Sequence, residues 1–173
     1  MQLITSTERL NLRELSDSDA PWLLELHQDP EVMKYSGDRI PENLTEIFEF
    51  LKEFKKNDTY SFGRWGIVLK ETNQIIGWCG FDVNEFDQVN LAFRIMKKYW
   101  NNGYATEAAR ACISHLFKSS EIEEIVGRAA IENIASIKVL EKIKMAYWKE
   151  DACKSIANSV YYKIKNPKFI PNI

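Results

Sequence analysis

The hydrophobic residues of this chain recur with two different spacings. Alternation at every second position predicts strands, whereas a spacing of three or four positions predicts amphipathic helices. Strands are predicted at seven places: 9–13, 65–69, 75–83, 89–95, 123–131, 146–153 and 159–165. Helices are predicted at four places: 18–29, 44–54, 105–117 and 133–143. In the last helix we expect the inward positions to be Ile134, Ile137, Leu140 and Ile143.

The order of these elements predicts the fold class. Short turns join the neighbouring strands between 65 and 95, which implies an antiparallel meander. The helix at 105–117 lies between two strands and supplies a crossover. We therefore predict an α/β (α+β) fold, with a mixed, mostly antiparallel sheet of about seven strands and helices on both faces. One domain over 1–173, with its core at about 8–165, accommodates the whole pattern.

Charge and cysteine content narrow the classes of function. The formal net charge is −2, which does not suit a general nucleic-acid binder or an anionic-membrane binder. The three cysteines, Cys79, Cys112 and Cys153, are widely spaced and odd in number, so we expect reduced, buried thiols. We find no N-terminal signal segment and no long apolar run, and we expect a cytoplasmic protein without membrane or direct nucleic-acid partners.

The segment at 97–106 has the properties of an anion site. The first N–H groups of a helix have no intrahelical partner, and the helix dipole adds partial positive charge there. Gly103 and Ala105 keep this backbone bare, and Lys97 and Lys98 add charge. The segment is neither a Walker loop nor a dinucleotide fingerprint. A purely structural glycine at the start of a helix is the alternative interpretation.

A second helix start lies at Asn133. Asparagine is a good N-cap residue, and Ser136 follows three positions later. Ser136 lies one turn before Leu140, at the edge of the apolar side, so its hydroxyl could serve a ligand. The alternative is an ordinary first-turn serine that bonds to the backbone.

Three segments together resemble a known family. Two of them resemble the GNAT superfamily of acyl-CoA-dependent N-acyltransferases: LAFRIMKKYWNNGYATEAARACISHLF and IENIASIKVLEKI. The third segment resembles the opening of the Rim-type ribosomal-protein N-acetyltransferase branch of that superfamily: TERLNLRELSDSDAPWLLELHQDPEVMKYSG. The resemblance extends over nearly the whole chain and agrees with the predicted order of elements.

The resemblance implies a set of site residues. The strand end formed by Phe93, Arg94, Ile95 and Met96 would pair its backbone with the pantetheine arm of acetyl-CoA, beside a gap where this strand and the one at 125–130 splay apart. The CoA diphosphate would be held by the loop residues Asn101, Asn102, Gly103, Tyr104, Ala105 and Thr106. Asn133 would bond the pantetheine arm, and Ser136 would lie near the sulfur. No metal is implied.

The sequence departs from the family pattern at several positions. Leu140 stands where many relatives have a tyrosine general acid, which leaves Ser136 to protonate the thiolate. Asn90 stands where the family frequently has a glutamate, so no general base can be carried over from the family. Asp82 and Glu85 are weak candidates for the general base, and a water relay is the alternative. Lys144 follows the last predicted helix where glycine is usual. We therefore expect either a strained Lys144 or a different helix end.

Two groups of side chains have ordinary structural alternatives. The aromatic residues could line an acceptor pocket or simply pack in the core: Trp22, Tyr35, Phe48, Phe54, Tyr60 and Phe62. His27 and His115 each stand alone on a helix, so we expect packed or surface histidines rather than catalytic ones.

The leading hypothesis is an acetyl-CoA-dependent N-acetyltransferase whose acceptor is a primary amine. That acceptor is either a protein N-terminus or a small amine such as a polyamine, amino acid or aminoglycoside. The alternative hypothesis is a CoA-binding regulatory module without transfer activity. A third hypothesis is a protein that binds a phosphate ligand unrelated to CoA. The sequence leaves both a monomer and a homodimer open.

Overall fold

In the computed structural model, which describes residues 1–55, 62–152 and 158–169, the segments with alternating hydrophobic residues form strands. The strands are β1 Leu3–Ser6, β2 Leu10–Arg13, β3 Arg64–Leu69, β4 Gln74–Val83, β5 Val89–Ile95, β6 Glu124–Ala130, β7 Ala146–Asp151 and β8 Ser159–Lys165. The helices are α1 Ala20–Gln28, α2 Pro30–Met33, α3 Leu44–Lys55, α4 Tyr104–Ser119 and α5 Ile134–Lys142. Within the described ranges, no helix is long and apolar enough to cross a membrane.

The strands form one eight-stranded sheet in the order β1-β2-β3-β4-β5-β6-β8-β7. Every neighbouring pair is antiparallel except β5 and β6, which are parallel and are connected through α4. The mixed, mostly antiparallel sheet is therefore confirmed. The additional strand is β1, which is only four residues long and is at most partly buried at the edge of the sheet.

Hydrophobic cores cover both faces of the sheet. On one face, α4 and α5 pack through Ala108, Ala109, Cys112, Leu116 and Leu140. On the other face, α1 and α3 pack through Leu23, Leu26, Ile47 and Leu51 against Trp78 and Met96. Because both faces are covered, β3 and β4 read as nearly continuous buried runs rather than as clean alternation.

Three details of the sequence prediction change or become precise. Ile134 is 53% exposed rather than inward, because α5 begins at this residue and its first turn faces solvent. Cys79 and Cys112 are buried free thiols, while Cys153 and the predicted end of β7 lie outside the described residues. Lys144 adopts the left-handed conformation with a φ of 69°, so the first of the two expected alternatives, a strained Lys144, is the one found.

Candidate active site

A gap opens in the sheet between β5 and β6. The two strands are in register only at Asn90–Val126 and Leu91–Gly127, although both continue for several residues beyond these pairs. The end of β5 therefore keeps β4 as its neighbour on one edge and has a gap on the other edge. This is the splay that the sequence resemblance implied.

The β5 backbone presents hydrogen-bonding groups to this gap. The Met96 N–H donates to the carbonyl of Ile76 on β4, and Gly77 is opposite Ile95, so Ile95 turns its own N–H and C=O away from β4. Because strand geometry repeats every second residue, Phe93 turns the same way. The Trp100 indole N–H donates to the Ile95 carbonyl at 2.7 Å, which closes the far end of the gap.

The loop before α4 is shaped by left-handed residues. Asn101 and Gly103 have φ values of 62° and 79°, and Gly103 is the N-cap of α4. A Cβ built on Gly103 would come no closer than 3.6 Å to a described atom outside its immediate neighbours, so the backbone conformation rather than space requires glycine here. The Asn102 side chain donates to the carbonyls of Tyr99 and Trp100 at 3.2 and 2.9 Å and holds the turn.

An ion pair from the turn between β1 and β2 braces this loop, and sequence reasoning missed it. Arg9 donates to the Glu107 carboxylate at 2.7 Å and to the carbonyl of Asn102 at 3.0 Å, and its guanidinium lies 4.6 Å from the centre of the Tyr104 ring. Burial raises the pKa of Glu107, but hydrogen bonds from Thr7 and Arg9 outweigh burial and leave that pKa below its usual value. The carboxylate therefore stays charged in the first turn of α4.

A cavity of about 880 Å³ connects the gap, the loop and α5. Most predicted site residues line this cavity: Asp82, Glu85, Phe93, Arg94, Ile95, Asn101, Gly103, Tyr104, Ala105, Thr106, Asn133 and Ser136. The two exceptions are Met96 and Asn102. Met96 is buried in the α1–α3 core and accepts a hydrogen bond from Trp22, and the Asn102 side chain bonds back to its own loop.

The start of α5 brings an amide and a hydroxyl to the cavity. Asn133 caps the helix, because its side-chain oxygen accepts from the Ser136 N–H at 3.1 Å. Its side-chain NH₂ and the Ser136 hydroxyl are not used by this cap. Leu140, at the position where many relatives carry tyrosine, is 1% exposed and belongs to the core rather than to the cavity wall.

Both carboxylates that were base candidates are engaged by cations. Asp82 pairs with Arg64 and accepts from the Asn90 amide, which lies opposite it on β5, at 3.0 Å. Glu85 lies 3.8 Å from Arg128. Of the two carboxylates, Asp82 lies nearer the gap. Its partner Asn90 is next to Leu91, the last β5 residue that pairs with β6.

On the α1–α3 side, the floor of the cavity is formed by two arginine side chains that lie against the indole ring of Trp78. Arg94 and Trp78 are opposite each other on β5 and β4, and the Arg94 guanidinium lies 5.3 Å from the Trp78 ring centre. Arg64 lies 4.8 Å from the same ring. Burial lowers the pKa of Arg94, although its 2.8 Å hydrogen bond to Asp38 opposes this effect.

The aromatic and histidine side chains divide between cavity and core. Among the six predicted aromatics, Tyr35 lines the cavity, Trp22, Phe54 and Phe62 pack in the cores, Phe48 is 38% exposed, and Tyr60 lies outside the described residues. His27 is 2% exposed and bonds the Leu23 carbonyl, so it is a packed histidine. In the described part of the chain, no three His, Cys, Asp or Glu side chains gather as a metal site.

The sequence and the fold both match known acetyltransferases. A family model described as Acetyltransferase (GNAT) domain matches residues 9–146. The uncharacterized N-acetyltransferase p20 of Bacillus licheniformis is 33% identical over 144 residues, which cover 79% of each chain. An acetyltransferase of the GNAT family from Bacillus anthracis has a crystal structure with a TM-score of 0.80 at 25% identity, covering 96% of this chain and 99% of that one. RimL, a ribosomal L7/L12 α-N-protein acetyltransferase solved with coenzyme A, shares the fold at 14% identity and a TM-score of 0.79, covering 95% and 98%.

Proposed function

Because the chain belongs to the GNAT acetyltransferase family, whose cosubstrate is acetyl-CoA, we propose that it acetylates a primary amine by direct attack on the thioester. The observation that carries this proposal is the gap between β5 and β6. There the strand backbone is open on one edge, beside a helix N-terminus and inside a cavity of about 880 Å³.

The residues around the gap fit acetyl-CoA. The N–H groups at 101–106 and the start of α4 suit the diphosphate. Phe93 and Ile95 offer strand-edge groups for the amides of the pantetheine arm, as in the addition of a β-strand. The Asn133 amide and the Ser136 hydroxyl line the same cavity and would bond the arm from the start of α5.

The proposed reaction needs little from side chains. The amine nitrogen forms a bond to the thioester carbonyl carbon, the carbon–sulfur bond breaks, and the thiolate takes a proton from Ser136 or solvent. A thiolate with a pKa near that of cysteine, about 8.5, is a good leaving group. The Phe93 N–H is the candidate donor to the carbonyl oxygen as it gains charge. The amine loses its proton to water or, through water, to Asp82.

The acceptor is proposed to be a small amine or a protein N-terminus. The Rim-type branch would favour the N-terminus, but RimL at 14% identity shares only the fold with this chain. The side chains on the floor of the cavity, and not similarity to RimL, therefore decide between these two acceptors.

Thiol release tests the proposed function. The purified protein is incubated with acetyl-CoA and a panel of amines, and free thiol is followed. Amine-dependent release is expected from wild type. Gly103→Glu should abolish CoA binding, because a carboxylate side chain replaces the bare backbone beside the diphosphate.

The matched control is Gly103→Asn, which tolerates the left-handed conformation that Asn101 already shows and adds no negative charge, so it should bind CoA more tightly than Gly103→Glu. Tight CoA binding without thiol release from any amine would support the regulatory-module alternative. Unchanged CoA affinity in Gly103→Glu would show that the loop is wrongly assigned.

A further inference from the structure

The cavity floor contains two buried N–H donors without an acceptor. Within the described residues, neither the Arg94 Nη1 nor the Trp78 Nε1 has a hydrogen-bond partner. The Arg94 side chain is only 9% exposed, and Trp78 is 2% exposed. A buried polar group left unpaired is costly, and native proteins rarely keep one without a reason. Two such donors on facing positions of adjacent strands point to a missing acceptor atom.

These donors lie close to the proposed reaction centre. Both residues line the cavity that contains the gap, but their two unpaired nitrogen atoms are covered, so binding an acceptor atom requires these side chains to shift towards the cavity. Arg94 directly follows Phe93, whose N–H is the candidate donor to the thioester carbonyl, and adjacent residues of a strand lie only about 3.3 Å apart along it. A group bound at Arg94 would therefore belong to the same small molecule as an amine placed in the gap.

The charges of the wall favour an anion at this position. Each of the four carboxylates lining the cavity already has a basic partner: Glu31 with Lys97, Asp38 with Arg94, Asp82 with Arg64, and Glu85 with Arg128. A cationic acceptor such as a polyamine would have to compete for these carboxylates. Arg94, in contrast, keeps one Nη group unused after its bond to Asp38.

A neighbouring histidine reports the same local charge. Burial and, after it, the charges of Arg94 and Arg64 together lower the pKa of His27 to about 4, and Asp38 only partly opposes them. The cations thus outweigh the nearby carboxylate on this side of the sheet.

We propose that Arg94 Nη1 and Trp78 Nε1 form a subsite for a carboxylate on the acceptor, so that the acceptor is a small amine carrying a carboxylate, such as an amino acid. This proposal rests on the proposed acetyl transfer for the position of the amine. Arginine suits a carboxylate because its positive charge strengthens the hydrogen bond that Nη1 donates, and the indole N–H adds a second donor. Asp38 remains on the other Nη group and holds the guanidinium in place.

Matched acceptor pairs test the subsite. 4-Aminobutanoate is compared with 4-aminobutanamide, and β-alanine with its amide, with rates referred to unprotonated amine. In wild type we expect kcat/KM for the acid to exceed that for the amide by at least about tenfold. Arg94→Gln should bring this ratio near one by raising KM for the acid alone. Trp78→Phe, which keeps a stacked ring, should lower the ratio a few-fold. The Trp78→Phe variant still tests the subsite if Arg94→Gln does not fold.

A neighbouring arginine supplies the control. Arg39 pairs with Glu46 and does not line the cavity, so Arg39→Gln should keep the wild-type ratio. Calorimetric binding of the same pairs to CoA-loaded protein separates this proposal from acetyl transfer. Acid binding that depends on Arg94 supports the subsite even if no amine releases thiol. Preference for the amide, a diamine or a peptide N-terminus, or an acid preference unchanged in Arg94→Gln, would overturn it.

Discussion

Replacing Lys144 by glycine should stabilise this protein. Lys144 follows α5 with a φ of 69°, and it is the only described non-glycine residue with positive φ that is neither Asn nor Asp. Its N–H donates to the carbonyl of Glu141 at 2.9 Å, and the N–H of Met145 donates to that of Leu140 at 3.1 Å. These are the two bonds of a Schellman motif, in which glycine is the preferred residue at the left-handed position.

The magnitude follows from the backbone and not from any contact of the lysine side chain. A residue with a Cβ in this conformation costs about 1–2 kcal/mol, and glycine returns about 0.5–1 kcal/mol of this through its freer unfolded chain. The net gain for Lys144→Gly is therefore about 1 kcal/mol in the free energy of unfolding. For a chain of this length, that gain raises Tm by roughly 2–4 °C. The motif fixes this conformation, because Leu140 and Met145 are buried at 1% and 4% exposure.

Thermal unfolding followed by circular dichroism, with urea unfolding as a second measure, checks this prediction. Lys144→Ala is the control, because it removes the same charge from the end of α5 but keeps the Cβ. The difference between the glycine and alanine variants isolates the backbone effect. Equal stability of the two variants would refute the reasoning, since it would assign any gain to charge.

Three further predictions concern α5 and α1. Ser136→Ala should lower kcat about tenfold at unchanged KM for acetyl-CoA, and Ser136→Thr should retain the rate, in steady-state thiol-release assays. Asn133→Ala should lose the cap to the Ser136 N–H and about 1 kcal/mol of stability in thermal unfolding, whereas Asn133→Asp should keep it. His27 is neutral in the fold because burial lowers its pKa from 6.5 to about 4, so below pH 6.5 the unfolded chain takes up a proton that the folded protein does not. Stability should fall by about 3 kcal/mol between pH 6.5 and 4 in urea titrations, and His27→Gln should flatten this slope.

The strands and helices that the sequence predicted are those with a strong local signal. β5 and β8 begin and end as predicted or within a residue, because their alternation is bounded by turn residues. α4 was predicted because its small and apolar residues recur at helical spacing along a buried side. β1 was missed because four residues at a sheet edge bury too little for alternation to register.

The missed parts of the site depend on contacts between distant segments. Arg9 and Glu107 are 98 residues apart, so neither shows in sequence that it braces the CoA loop. Arg94 was assigned to the site for its backbone, and nothing local indicated that its side chain lies buried beside Trp78 on the neighbouring strand. The packing of α4 against the β1–β2 turn created the first feature and register within the sheet created the second, and a single sequence specifies neither.

β5 explains why the cosubstrate and the acceptor are linked in this fold. Its alternate residues face opposite sides: Leu91 and Ile95 pack towards α4, whereas Ala92 and Arg94 face the α1–α3 side. The backbone of Phe93 and Ile95 uses a third direction, into the gap. A one-residue shift of β5 would exchange these faces, burying Arg94 against α4 and turning Phe93 towards Trp78. The position of the gap, the core under α4 and the proposed carboxylate subsite are therefore fixed by one strand register.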